Sequence, residues 1–424
     1  MILVKTGSSN LKTLYEYEPC MDKDIINELN ELTSSNEEIS KFLEISKTYV
    51  KFKHYTGFIP TKNYRIQVLP KIRNLDMDEK NSSNNLIRIL LYVFSPPGVS
   101  IPKLEIKDDT KLDILDLIIR MYAITLEEQI LQGAYRKYIR FSEESKFLKG
   151  KLNIAKQISR IDQSKFSVID FRFSMDNDLN RFFAHANRYF MQFTHDTTNA
   201  NLLAWIDSIL HDEDILPWHQ CKISFNRLNE RFRIPYIYAS LILQNKLMLS
   251  GQGYNTMAMI FDMNKIFERF FTEFICRNKR EIFGNEILHI KVQDGDYNFI
   301  YDNNAIRYTK PDLILFFKDS TYLFDTKYKK LDEPKICELK KKNDKVHSIA
   351  PSDLYQMYTY SQIYHSKNTI LVFPGAESKL SKSYIFTENG NEKLWVYMLK
   401  LNLNNDWESD LVQSFKNDFT KIQN

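Results

Sequence analysis

Three charged side chains in the stretch KPDLILFFKDSTYLFDTKYKK, residues 310–330, could share one chemical task. Asp312 precedes the apolar run Leu313–Phe317, and a second run, Tyr322–Phe324, leads straight into Asp325, Thr326 and Lys327. Both runs read as strands bound for a hydrophobic interior, where a charge is costly unless it is paired or ligates a metal. In a strand Asp325 and Lys327 point to the same face, roughly 6.6 Å apart along the chain. A two-residue turn at Lys318-Asp319 would set Asp312 directly opposite Asp325, with Cβ atoms about 4.5–5.5 Å apart. A slip of one residue would send the two acids to opposite faces. Carboxylates that close raise each other's pKa unless a cation lies between them. Hard oxygen ligands select Mg2+ or Mn2+, and the backbone carbonyl of Thr326 offers a further oxygen. Such an ion would activate water and steady the charge that builds on a phosphate, with Lys327 beside the water. The residues therefore read as a metal-dependent phosphodiesterase site, with a buried structural ion pair as the alternative.

The elements that must position these groups follow in order. DMNKIFERFFTEFICRNKR carries apolar residues at 263, 266, 267, 270, 271, 274 and 275, the stripe of an amphipathic helix. Strands are expected near Ile287–Val292 and Asp296–Tyr301, then the hairpin, then a helix over SDLYQMYTYSQIYH. NTILVFP and LWVYMLKLNL read as strands, and a final helix lies near Asp410–Ile422. Helix, hairpin, helix and strand in that order predict an α/β sandwich with a mixed sheet. Upstream, TYVKFKHYTGFIPTKNYRIQVLPKI reads as two strands around Gly57–Pro60, the second alternating through Tyr64, Ile66 and Val68. NSSNN reads as the polar cap of a short helix that stops at Pro96-Pro97. The spacing Leu112, Leu115, Ile119, Tyr122, Leu126, Ile130 predicts a helix stopped by Gly133. Further helices are expected around 179–193, 199–209 and 235–247. SRIDQSK, Ser159–Lys165, is the candidate boundary, and SGQGYNT opens the last segment. The expected division is 1–160, an α+β domain; 161–255, a helical connection; and 256–424, the domain with the charged hairpin.

Composition excludes several classes. The chain has 424 residues, too many for one ordinary core, and 26% charged residues with 43% hydrophobic ones, which is not the balance of a disordered protein. Its four cysteines form no CxxC pair, which argues against a zinc site or a disulfide framework and fits a reducing cytoplasm. MILVKTGSSN is too short in apolar residues for a signal peptide, and no run approaches the roughly 18 residues that cross a bilayer. The segment Lys327–Lys345 holds eight lysines against four acids, a positive flank suited to DNA phosphates. Asp176-Asn177-Asp178-Leu179-Asn180 begins like a calcium loop, but Arg181 stands where Gly is needed and Asn187 where Glu closes it. Gly251-Gln252-Gly253 is no dinucleotide fingerprint, since Thr256 replaces the third Gly. There is no GxSxG, no HxxxH and no GxxxxGK[ST], so the chain has no P-loop of its own.

The run MNKIFERF … KPDLIL … DTKYK … DLYQMYTY resembles the PD-(D/E)xK nuclease superfamily, and within it the McrC subunit of McrBC-type, modification-dependent restriction systems. YTGFIPTKNYRIQVLPKI, LQGAYRKYI, FLKGKLNIAKQI and FRFSMDNDLNRFF resemble that family's upstream signatures, so the likeness spans most of residues 48–375. The resemblance implies a C-terminal PD-(D/E)xK nuclease domain, with a mixed central sheet flanked by helices, behind a mixed α+β N-terminal domain. It adds Glu268 and Gln356 to Asp312, Asp325 and Lys327 as catalytic residues; a surface glutamate and an interior amide are their ordinary alternatives. Mg2+ (or Mn2+) would be held by Asp312, Asp325 and Thr326. The implied partners are double-stranded DNA and an McrB-like AAA+ GTPase hexamer, met through the N-terminal part. The chain departs from compact members of the family in extra polar residues at Ser34–Ser46 and Asn81–Asn85, and the resemblance extends to the LlaJI-like branch, in which the recognised DNA differs. A catalytically dead adaptor of an AAA+ ring and a stand-alone repair or junction nuclease are the competing readings.

Overall fold

The computed structural model describes residues 10–71, 79–99, 112–159, 161–162, 164–210, 218–251, 254–293, 298–302, 304–331, 349–388, 390–403 and 406–423. The chain is mixed α/β and groups into two compact units. One holds Leu112–Met248 with Asn255–Met259; the other holds Asn10–Lys111, Leu249–Tyr254 and Ile260–Asn424. This division differs from three consecutive segments, because residues near the two ends of the chain are tied together. The Asn85 side chain donates to Leu401 O (2.7 Å) and accepts from Leu403 N–H (2.9 Å). Among the described residues no helix is long and apolar enough to cross a membrane.

The larger unit opens with β1 (Asn10–Tyr15), α1 (Lys23–Ser35), β2 (Tyr55–Pro60), β3 (Tyr64–Leu69) and α2 (Glu79–Phe94). β3 lies between β1, parallel to it, and β2, antiparallel. Gly57 to Pro60 lie inside β2, and the turn comes after them, at Thr61–Asn63. It is closed by the Thr61 N–H on Tyr64 O (2.8 Å) and by Glu28, whose carboxylate accepts from the Asn63 N–H (3.1 Å). The alternation expected for β3 is only half the pattern: Arg65 and Gln67 are buried as well, and the Arg65 guanidinium lies 4.6 Å above the Phe58 ring. NSSNN caps nothing. It lies within α2, and Asn85 uses its amide to reach the distant carbonyl instead.

The unit continues with α3 (Met263–Phe283), β4 (Ile287–Val292), β5 (Leu313–Phe317), β6 (Thr321–Thr326), α4 (Pro351–Ile363), β7 (Asn368–Gly375), β8 (Lys393–Lys400) and α5 (Trp407–Gln423). Strands run β4-β5-β6-β7-β8, with short strands Lys379–Leu380 and Tyr384–Ile385 on the outer side of β8. β4/β5 and β5/β6 are antiparallel, β6/β7 and β7/β8 parallel, so the sheet is mixed as expected. Ile314, Leu323, Leu371 and Val396 pack one face against Met357 and Tyr360 of α4 and Tyr364 just past its end. The other face offers Phe324 and Tyr397 to Phe271 of α3 and Phe415 of α5, with Phe415 between them in ring contact with both strands. The expected strand at Asp296–Tyr301 is seen as Asn298–Asp302.

A buried acid closes β1. Glu16 is 0% exposed, and its Oε1 accepts from the Lys71 N–H (2.9 Å) and from the Tyr328 hydroxyl. Burial, opposed by the Lys71 charge and these hydrogen bonds, pushes its pKa from 4.5 up to about 7. A folded-state pKa above the unfolded one means the protonated form stabilises: the contribution is full below pH 4.5 and is lost as pH rises through 7. Glu16→Gln, neutral at every pH, is therefore expected to melt above wild type at pH 8, by on the order of 3 kcal/mol. Melting both proteins from pH 5 to pH 8 checks this; a gap that does not widen with pH would contradict it.

The smaller unit is mainly helical. Helices Ile114–Leu131, Asp178–Met191, Thr197–Ile209 and Arg233–Asn245 bury Ile118, Tyr122, Phe183, Phe190, Ile206 and Tyr238 among themselves, close to the expected spans. A nine-residue antiparallel ladder, Lys137–Ser145 with Phe166–Ser174, extends from them, and Lys151–Leu152 pairs along it. SRIDQSK thus lies inside this sheet's connection and marks no break. At Gly150 φ is +70°, and a Cβ would meet Ile169 O at 2.5 Å, so only glycine fits in the GKL motif. Asn177 and Asn180 both donate to Tyr135 O and Met175 O, which fastens the base of the ladder and accounts for the DNDLN motif without calcium.

Candidate active site

β5 and β6 pair with Leu313 opposite Phe324 and Phe316 opposite Thr321, and the Phe317 N–H donates to Ser320 O (2.9 Å) across the Lys318-Asp319 turn. One step beyond Leu313 and Phe324, that register sets Asp312 opposite Asp325, on the face that Ile314 and Leu323 share toward α4. The hydrophobic sheet is what makes this possible. Large residues on both sides of β5 and β6 fix the register, and the acids sit where the ladder ends.

Asp325 is 4% exposed in its side chain and Lys327 20%. The Lys327 Nζ lies 2.6 Å from Asp325 Oδ2 and donates to Gln356 Oε1 at 2.9 Å. Gln356, reaching down from α4, donates through Nε2 to the Tyr360 hydroxyl (2.8 Å) and to Asp325 Oδ1 (3.3 Å). Asp312 Oδ2 accepts from both the N–H and the hydroxyl of Thr326, each at 2.6 Å. Thr326 therefore orients Asp312 through its two donors, a use that its expected role as a carbonyl ligand did not include. Glu268, on α3, accepts from the Gln293 side chain. All six residues singled out in the sequence lie in this one unit, with Asp325, Lys327 and Gln356 in direct contact.

Two neighbours went unseen in the sequence. Gln293 follows β4 with φ +51°, donates its N–H to Asp312 O (3.0 Å) and its amide to Glu268, so it links the two acids. Nothing in its residue type signals that position; it depends on the irregular pairing of β4 with β5. Asp353, near the start of α4, holds the Lys329 Nζ at 2.7 Å. Two lysines of the basic flank, 327 and 329, are thus paired with acids, and residues 332–348 of that flank lie outside the described residues.

The charges are tuned by burial and by one another. Burial, then the Asp325 charge, raises the Asp312 pKa from 3.8 to about 6 against the Thr326 hydrogen bonds and Lys327. Asp325 is also raised by burial, which Lys327 opposes and Asp353 and Glu268 reinforce. Glu268 is raised by burial and then by Asp312. For Lys327, burial lowers the pKa, but Asp325, Asp353 and Asp312 together carry it above its usual value, so the ammonium is secure at neutral pH. Raised, opposed carboxylates are what a cation would relieve. Among the described residues no group of three or more His, Cys, Asp or Glu side chains gathers as a closed metal cage. Asp312 and Asp325 are the two carboxylates that could hold Mg2+, an ion that keeps several waters and binds through one or two carboxylates plus substrate phosphate.

With this geometry in view, the family described as McrBC 5-methylcytosine restriction system component matches residues 50–374. No curated protein matches the chain. Among solved structures, a refined half-complex from a tetradecameric assembly of Thermococcus gammatolerans McrB AAA+ hexamers with bound McrC contains a similar chain. The likeness has TM-score 0.68 and 22% identity, and covers 97% of this chain and 100% of that one. A chain of the Thermococcus gammatolerans McrBC complex is similar with TM-score 0.49 and 25% identity, over 64% of this chain and 88% of that one.

Proposed function

Because the chain belongs to the family of McrBC 5-methylcytosine restriction system components, we propose that it is the Mg2+-dependent DNA endonuclease subunit of a GTP-driven restriction complex, of the McrC type. The observation that carries this reading is the acid pair at the end of β5 and β6, with Lys327 ion-paired to Asp325 and Gln356 hydrogen-bonded to both. Asp312 and Asp325, with an oxygen of Thr326, would hold Mg2+ (Mn2+ substituting), which supplies a nucleophile near neutral pH and stabilises charge on the phosphate. The chain's own part is positional. Thr326 aims Asp312, and Gln356, itself held by Tyr360, aims Lys327. The Lys327 ammonium faces the side from which water attacks and offsets the negative charge that builds on the phosphate. Glu268, with its raised pKa, would accept a proton or hold a water for the same ion.

The second half of the reading is an McrB-like AAA+ GTPase hexamer as partner, since the chain lacks a P-loop and has the fold of a chain from an assembly of such hexamers. The sequence reading gives this contact to the N-terminal part, residues 1–160, which includes the hairpin through Leu69-Pro70-Lys71. Leu69 is buried and Lys71 packs on Tyr17 and Tyr328, so that hairpin has little surface to offer. The ladder of the smaller unit is the better candidate: Tyr138 is 71% exposed, Phe173 57%, and their rings meet at 5.2 Å on its open face. Exposed aromatic clusters of this kind mark protein-binding surfaces. Tyr138→Glu with Phe173→Glu is expected to abolish co-purification with the GTPase and the rise in GTP turnover. The melting temperature should hold, because surface changes seldom exceed about 0.5 kcal/mol. An unchanged complex would remove this surface from the proposal.

The decisive test combines the chain, an McrB-like AAA+ GTPase, GTP, Mg2+ and methylated or unmodified DNA duplexes. Cleavage that needs both proteins and Mg2+ is the expected result. Cutting without the GTPase would favour a stand-alone nuclease, and GTPase stimulation without cutting in Mg2+ or Mn2+ would favour an adaptor.

A further inference from the structure

Lys327 lies one residue past the end of β6, where the sheet holds the backbone on one side only, through the Lys327 N–H on Val372 O (2.8 Å). What fixes the chain beyond it is Tyr328, 4% exposed. Its ring lies 5.9 Å from that of Phe267, the residue before Glu268, and 4.8 Å below the Lys71 Nζ. Its hydroxyl donates to Glu16, 312 residues away in sequence. Glu16 is an expensive way to pack an interior: it is fully buried, and among the described residues its Oε2 has no hydrogen-bond partner. The turn that delivers it is strained as well, since Tyr17 has φ +62° and caps the Lys71 ammonium with its ring at 3.9 Å. An apolar side chain would fill the space without these costs, but it would not fix the tyrosine oxygen at one point.

We propose that Glu16 is a positioning residue for the candidate active site: by anchoring the Tyr328 hydroxyl it holds the backbone at Lys327, and so the ammonium, over Asp325. The inference rests on the nuclease reading above for its catalytic consequence, but not for the anchoring itself. Both Glu16 and Lys71 belong to the first segment of the larger unit, so residues remote in sequence set the geometry of the charged hairpin.

Tyr328→Phe keeps the ring in its pocket and removes only the bond to Glu16; Glu16→Gln keeps an acceptor in the same place. In the full chain with its GTPase, Mg2+ and duplex DNA, Tyr328→Phe is expected to lower kcat roughly tenfold to a hundredfold, as an ångström-scale misplacement does, with KM for DNA unchanged. Glu16→Gln should retain most of the rate. Independently of cleavage, competitive acetylation followed by mass spectrometry of Lys327 should show severalfold faster labelling in Tyr328→Phe, with the exposed Lys379 unaltered. A general loosening of the fold would speed many lysines and raise KM as well. Lys327 labelling equal to wild type would overturn the anchoring even if no condition gave cleavage. Faster labelling with kcat unchanged in a cutting wild type would overturn the positioning role. Wild type that never cuts, with Lys327 labelling that responds as described, would sink the nuclease reading and leave the anchoring in place.

Discussion

Lys327→Ala is expected to cut DNA cleavage by a factor of about 10² or more, the loss typical of one transition-state donor, while Mg2+ and DNA still bind. The ion pair with Asp325, 2.6 Å long, makes the control essential. If the lysine only neutralised a buried carboxylate, its removal would cost about 3–5 kcal/mol and little else. In the metal-free protein some of that cost should appear, because Asp325 would lose its nearest cation. With saturating Mg2+ the ion takes over that neutralisation, and the variant should melt close to wild type yet remain slow. Lys327→Arg keeps the charge but replaces a compact ammonium by a planar fork that cannot occupy the space between Asp325 and Gln356 on equal terms, so it should rescue little. Thermal melts with and without Mg2+, set beside single-turnover cleavage, decide between the two roles. A large stability loss in Mg2+ with full activity in the folded fraction would end the catalytic assignment.

Asp312→Ala and Asp325→Ala are each expected to abolish Mg2+-dependent cleavage, and the pair should part company in stability. Asp325→Ala strands the Lys327 ammonium in a 20% exposed position, so the metal-free protein should be destabilised. Asp312 behaves oppositely. Its pKa is raised to about 6, so its stabilising protonated form is fully present below pH 3.8 and is lost as pH climbs through 6. Asp312→Asn, which still accepts from Thr326, should thus melt above metal-free wild type at pH 8 and lose that advantage by pH 4. Calorimetric Mg2+ titration is the second arm. Unchanged affinity in both variants would remove the metal from this site.

How much of this was legible in the sequence depends on the range of the interaction. The hairpin register was readable because it depends on a two-residue turn and on alternate residues filling two cores, both local properties. The helix carrying Glu268 was readable from its stripe. The turn at Thr61–Asn63 was misplaced because Gly57 and Pro60 are turn formers by type, whereas here they sit in a strand and Glu28 of α1 closes the turn. NSSNN looked like a cap because nothing nearby shows that Asn85 would find Leu401. Gln293 needed the register shift at the start of β4, and the Glu16–Tyr328 bond joins positions that no pattern of spacing connects. The unit that holds the charged hairpin is discontinuous in sequence, an order of segments that no local pattern signals.

That discontinuity bears on the birth of the protein. Synthesis runs from the N-terminus, and non-local contacts form only once both partners exist. Glu16 emerges from the ribosome long before Tyr328, and Asn85 long before Leu401 and Leu403. The first segment must therefore wait, with an ionisable group and an amide unmatched, while the inserted helices assemble as a local bundle. A polypeptide released early, anywhere before α4, lacks Gln356 and Tyr360 and cannot steady Lys327. The charged constellation is thus complete only once α4 has been made.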